Sequence, residues 1–259
     1  MFHQVATYSK YLLNSKPFSG VGDAVFSSQL HKIFDKERSF YAFIALDVVR
    51  KKNQLDERVL NVNDLGAGSK TSKGNERSVK SIADSAVKAK KYAELMFRLV
   101  EAFHSHTIIE LGTSLGITTG YLAKANKKAK VYTLEGAEEI AKIAEENFKL
   151  MKLHNAQLIQ GNFDDTLEEL VSRQDRIDLV FLDGNHRKEP TIRYFNTLLP
   201  KLHEGAIVLV DDIHWSQEMN QAWKELVSRP EVSLAINLFE MGILFLDPKL
   251  KKEELLVRY

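Results

Sequence analysis

Cysteine is absent from this sequence of 259 residues. That absence removes disulfide frameworks, iron–sulfur clusters, thiolate zinc sites and cysteine nucleophiles together. Only carboxylate or imidazole ligands are left for a metal. Long hydrophobic runs are missing as well: the longest, such as Phe40 to Leu46, fall far short of the roughly 20 apolar residues of a membrane span. The first 30 residues hold no apolar leader segment. These absences predict a soluble, cytoplasmic protein. An excess of one charge is also lacking, because 36 Lys+Arg stand against 35 Asp+Glu, a net +1. A general nucleic-acid binder usually has a basic balance, so that class is disfavoured and only a local basic patch stays open.

What is present is a chain long enough for one or two domains at about 150 residues each. Residues 1–60 read as mostly helical. Residues 61–80 read as one long loop, since Gly66, Gly68, Ser69, Ser72, Gly74 and Asn75 crowd a stretch with few apolar residues. The loop is no P-loop: five residues separate Gly68 from Gly74, and Asn75 stands where that motif needs lysine. From Ser85 to Phe103 apolar residues recur at helical spacing. Beyond that helix, short β-rich runs at Thr107–Leu111, Lys130–Leu134, Ala156–Gln160, Ile177–Leu182 and Ala206–Val210 are each followed by a helical stretch, which predicts parallel pairing. The runs Val232–Phe239 and Ile243–Leu246 are joined too tightly for anything but an antiparallel hairpin. The expected architecture is α/β: a doubly wound, Rossmann-like sheet of five parallel strands with a C-terminal antiparallel hairpin, preceded by a helical extension. The expected division is 1–106 for a helical cap carrying the loop and 107–259 for the sheet domain.

In such a sheet, ligands sit beyond the carboxyl ends of the strands. The first run ends Glu110-Leu111-Gly112-Thr113-Ser114-Leu115-Gly116, an acid followed by two glycines that let a ligand approach the backbone and the next helix N-terminus. The dinucleotide fingerprint GxGxxG fails at Ser114 and Ile117, so NAD is disfavoured. The spacing ExGxxxG resembles instead the first motif of class I S-adenosylmethionine-dependent methyltransferases. Glu135 closes the second run, 25 residues after Glu110, where a carboxylate can accept two ribose hydroxyls. Asn162 and Phe163 follow the third run, at the family position that borders the adenine.

The fourth and fifth runs end Asp183-Gly184-Asn185-His186 and Asp211-Asp212-Ile213-His214-Trp215. The first is similar to the DG(D/N)H segment of a bacterial methyltransferase subgroup, and the pair resembles the catechol and caffeoyl-CoA O-methyltransferase families. The resemblance implies that Glu110, Gly112, Thr113, Ser114, Gly116, Glu135, Asn162, Phe163 and Asp183 hold S-adenosylmethionine. It implies a divalent metal such as Mg²⁺ or Ca²⁺ on Asp183, Asp211 and Asp212, the last replacing the Asn usual there. It makes His186 the first candidate for general base and His214 the second, with Asp183 beside the reacting centre. The expected reaction is O-methylation of a small hydroxylated molecule. N-methylation and a non-catalytic S-adenosylmethionine-binding module are the alternatives. No nucleic acid or membrane is expected as partner, and a homodimer is left open. Charge divides unevenly, with +6 over residues 1–106 and −5 over 107–259. Lys70, Lys73, Arg77 and Lys80 concentrate in or beside the loop, which suggests a segment that favours an anionic acceptor.

Overall fold

The computed structural model of the chain describes residues 2–20, 24–62 and 75–259. In chain order the elements begin α1 (Phe2–Asn14), α2 (Ala24–Phe34), α3 (Tyr41–Gln54), β1 (Val59–Asn61), β2 (Glu76–Ser78), α4 (Val79–Ser85), α5 (Lys90–Phe103), β3 (Thr107–Leu111), α6 (Ile117–Ala125) and β4 (Lys130–Glu135). They continue with α7 (Glu138–Met151), β5 (Ala156–Gln160), α8 (Phe163–Ser172), β6 (Ile177–Leu182), α9 (Lys188–Leu198), β7 (Leu202–Asp211), α10 (Gln217–Ser228), β8 (Leu234–Asn237), β9 (Met241–Phe245) and β10 (Glu253–Leu256). The chain divides into two compact units, one of residues 35–170 and one of residues 1–34 with 171–259.

In the unit 35–170, β3, β4 and β5 run parallel in adjacent register, with Leu111 opposite Leu134 and Leu134 opposite Ile159. Branched and aliphatic residues take most buried positions of β3 and β4, while Gln157 and Gln160 of β5 are exposed. Leu46, Val49, Ile82, Phe97, Tyr121, Ile140 and Phe148 belong to one core cluster. Helix α3 packs on α6 and α7, and the contact is close at Gly120, where an added Cβ would lie 2.6 Å from Met151 Sδ and 2.8 Å from Leu46 Cδ2. The expected loop 61–80 is corrected at its end: Glu76–Ser78 pairs antiparallel with Val59–Asn61, and Ser78 caps α4 by accepting the Ser81 N–H. Leu60, Val62 and Val79 anchor this stretch in the core, and on its surface Arg58 binds Asp56 and Glu146 while Lys80 binds Glu57. Gly66, Gly68, Ser69, Lys70, Ser72, Lys73 and Gly74 lie outside the described residues.

In the other unit the strand order is β10-β8-β9-β7-β6. Strands β6 and β7 are parallel, and β9 lies antiparallel between β7 and β8, which is the expected terminal hairpin. The five parallel strands expected from sequence are thus three in one unit and two in the other. Strand β10 adds to β8 in parallel and was not expected from the sequence. The end of the chain also fastens α1: Tyr11 donates its hydroxyl proton to Val257 O, and the Arg258 guanidinium donates to Leu12 O and Ser15 O. Trp223 of α10 is buried against β9, where Gly242 leaves it room: a Cβ there would fall 2.1 Å from Trp223 Cζ3. Gly242→Ala should therefore cost about 1–3 kcal/mol, the range for overpacking a filled core. Urea denaturation measures it, and an unchanged midpoint would show that the indole gives way freely.

Candidate functional site

The turn after β3 is built from left-handed backbone. Gly112, Ser114 and Gly116 have φ of +102°, +48° and +73°. Gly112 and Thr113 both donate their N–H to Leu134 O at 3.0 Å, which folds the turn against the end of β4. Gly116 meets two demands at once, because an added Cβ would lie 2.5 Å from Phe148 Cε1 and a side chain would be strained at its φ. Glu135, at the end of β4, takes the Ser114 N–H on Oε2 and the Ala137 N–H on Oε1, both at 2.9 Å. Two backbone donors thus fix this carboxylate at the rim of the turn. The Ser114 hydroxyl is buried with no hydrogen-bond partner.

Beneath the turn, Glu110 is wholly buried. Its Oε2 accepts the hydroxyls of Thr119 and Thr133, and its Oε1 has no partner. Burial raises its pKa to about 7, against the two threonine hydrogen bonds that lower it and with the Glu135 charge adding to the rise. Below about pH 4.5 the carboxyl is protonated in folded and unfolded chains alike. As pH climbs toward 7 the unfolded chain loses this proton first, so folding stability falls, by about 3 kcal/mol in all. Glu110→Gln removes the effect. Its stability relative to the parent should rise between about pH 4.5 and 7.5 and level off above. Parallel melting curves with pH test this, and a constant difference would mean that Glu110 is ionised throughout.

Asn162 shapes the start of a helix. Its Oδ1 accepts the Asp164 N–H at 3.1 Å and its carbonyl accepts from Asp165 and Thr166, starting α8 with Phe163 as first residue. Glu110, Gly112, Thr113, Ser114, Gly116, Glu135, Asn162 and Phe163 all fall in the unit 35–170.

The other candidates lie in the second unit. After β6 the chain passes through Asn185 at φ +64° and His186 at φ +29°, two successive non-glycine residues in left-handed backbone. Strain of this kind persists where the surroundings enforce it and concentrates at functional sites. It brings His186 Nε2 to 3.6 Å from Asp183 Oδ1, and Asn185 donates to the Tyr194 hydroxyl at 3.3 Å. After β7 the two acids separate in role: Asp211 is buried as the last strand residue, and Asp212 leaves the strand at φ +52° with its N–H donated to Glu240 O. Among the described residues no three His, Asp or Glu side chains are grouped to hold a metal ion.

His214 sits between two amides, Asn220 at 2.7 Å from Nδ1 and Asn237 at 3.2 Å from Nε2. The Asn237 oxygen accepts the Phe239 N–H at 3.0 Å, which turns its NH₂ toward the ring and toward Glu254 Oε1. Both ring nitrogens are thus engaged, and the ring rests 5.1 Å from Phe239. Trp215 is partly exposed and donates its backbone N–H to Asp212 O. Sequence reasoning missed Thr119, Thr133, Asn237 and Glu254. The threonines sit at inward positions of a helix and a strand, where a buried acid needs donors, and that need was their one readable signal.

Three comparisons bear on this arrangement. Residues 109–213 match a family model described as a methyltransferase domain. A methyltransferase from Podospora anserina, solved with S-adenosylhomocysteine bound, is 16% identical and covers 87% of this chain and 97% of its own, with a TM-score of 0.62. An O-methyltransferase from Bacillus cereus, solved with the same molecule, is 17% identical over 84% of this chain and 96% of its own, with a TM-score of 0.58. An uncharacterized protein of Sinorhizobium fredii is 27% identical over 166 residues, 57% of this chain but only 18% of that protein's length. The fold is that of the class I methyltransferases. No helix among the described residues is long and apolar enough to cross a membrane.

Proposed function

We propose that this protein is an S-adenosylmethionine-dependent methyltransferase acting on a hydroxyl group of a small molecule. The observation that carries the reading is Glu135, a carboxylate fixed by the Ser114 and Ala137 N–H groups beside a glycine turn that holds an unpartnered buried hydroxyl, within a segment that matches a methyltransferase domain. These groups fit the cofactor: Glu135 would accept the ribose hydroxyls, Gly112 to Gly116 would pass along the methionine portion, Ser114 Oγ would bond to it, and Asn162 with Phe163 would border the adenine. Bound S-adenosylmethionine supplies an electrophilic methyl group.

What remains for the chain is to orient an acceptor hydroxyl and remove its proton. His186 is the base in this reading, with Asp183 3.6 Å from its Nε2 and able to steady the imidazolium once formed. His214 is a positioned ring, since both of its nitrogens are already engaged by amides. Calorimetry with S-adenosylhomocysteine and with NADH tests the cofactor, and a screen of hydroxylated and amine acceptors tests the reaction. Binding of NADH alone would remove the reading. Binding without turnover on any acceptor would leave a non-catalytic module, and turnover on amines alone would move the reaction to nitrogen.

A further inference from the structure

Glu110 is a carboxyl group with no access to solvent and, among the described residues, no cation acting on it. The groups acting on it from the elements around it are the Thr119 hydroxyl of α6, the Thr133 hydroxyl of β4 and the like charge of Glu135 at the end of β4. An ionised carboxylate so placed, with Oε1 unpartnered, is costly, and the neutral acid is favoured. A path leads outward from it. Thr133 Oγ1 lies 2.7 Å from Glu110 Oε2 and 2.6 Å from Thr113 Oγ1, so a chain of hydroxyls joins the buried acid to the glycine turn. A cation seated in that turn would face the acid across low-dielectric protein, where attraction is strong.

We propose that occupation of the glycine turn by the cationic cofactor drives one proton off Glu110 into solvent, so that cofactor affinity is linked to pH through a buried carboxyl. The inference rests on the S-adenosylmethionine reading above and goes beyond it, since it concerns the ionisation of a group that never meets water. The exchange is complete in itself: the O–H bond of the acid breaks, its electrons stay on the carboxylate, the proton passes to buffer, and the new carboxylate balances the cation. That Glu110 titrates near neutrality is in keeping with this. S-adenosylmethionine carries a sulfonium charge that S-adenosylhomocysteine lacks, so the linkage should be larger for the first.

Calorimetry of the intact protein with S-adenosylmethionine, at about pH 6 in two buffers of different ionisation enthalpy, counts the protons released. The expected result is close to one proton per site, with affinity rising up to tenfold per pH unit between about pH 5 and 7 and then levelling. Glu110→Gln should bind without that release. Should Glu110→Gln fail to fold, Thr133→Val serves instead: with a donor to the carboxylate removed, the linkage should move to higher pH. Binding with no net proton exchange and flat affinity would overturn the inference and leave the methyltransferase reading standing. Linkage unchanged in Glu110→Gln, or an unmoved window in Thr133→Val, would overturn it as well. Absence of S-adenosylmethionine binding at every pH would overturn the reading itself, and the inference with it.

Discussion

Replacing His186 with glutamine is expected to lower kcat by a factor of about 10²–10⁴ while S-adenosylmethionine affinity stays within about twofold, the signature of a lost general base. Glutamine keeps the size and polarity of the side chain and removes only the site that takes the proton. The 3.6 Å approach of Asp183 to Nε2 predicts a smaller loss in Asp183→Asn, because an amide can still orient the ring but cannot steady its charge. His214→Gln is the contrast. With both ring nitrogens bound to amides, its replacement should disturb stability more than turnover. Steady-state rates with radiolabelled methyl donor, together with calorimetry for affinity, separate these outcomes. Near-parental turnover in His186→Gln would move the base elsewhere.

The second large effect belongs to Glu135. Glu135→Ala should weaken S-adenosylmethionine and S-adenosylhomocysteine alike by about 10²–10³-fold, the scale of losing two hydrogen bonds to a charged acceptor. Part of that loss is indirect, since the same carboxylate holds the Ser114 N–H and so the shape of the turn. Glu135→Gln divides the two contributions. Its amide oxygen can serve one backbone donor while its NH₂ meets the other donors with the wrong polarity, so affinity should recover only in part. Unaltered affinity in Glu135→Ala would remove the ribose assignment.

How much of this was legible in the sequence follows from where the information sits. Strands β3, β4, β5 and β6 were read to within a residue, because each is a short β-rich run bounded by turn residues and followed by a helical stretch. Gly112 and Gly116 were legible as turn residues, and the positive φ of both shows why glycine stands there. The strand Glu76–Ser78 was not legible, since its pattern is polar and its partner is also three residues long. Nor was β10, whose Glu254 accepts the Trp223 indole N–H at 2.8 Å: a carboxylate engaged 31 residues away leaves no local trace. The acids after β7 differ in surroundings in a way their adjacency hid. Asp211 is buried at the strand end, and the left-handed backbone at Asp212 turns the chain away from it.

The fastening of α1 by the end of the chain sets an order in time. The unit 35–170 is a continuous stretch, so it can collapse as it leaves the ribosome, domain by domain in the usual way. Residues 1–34 complete their unit only after residues 171–259 are made, because the Tyr11 hydroxyl must wait for a carbonyl 246 residues later. Until then that segment is a guest without a host, its α1 held by no partner strand.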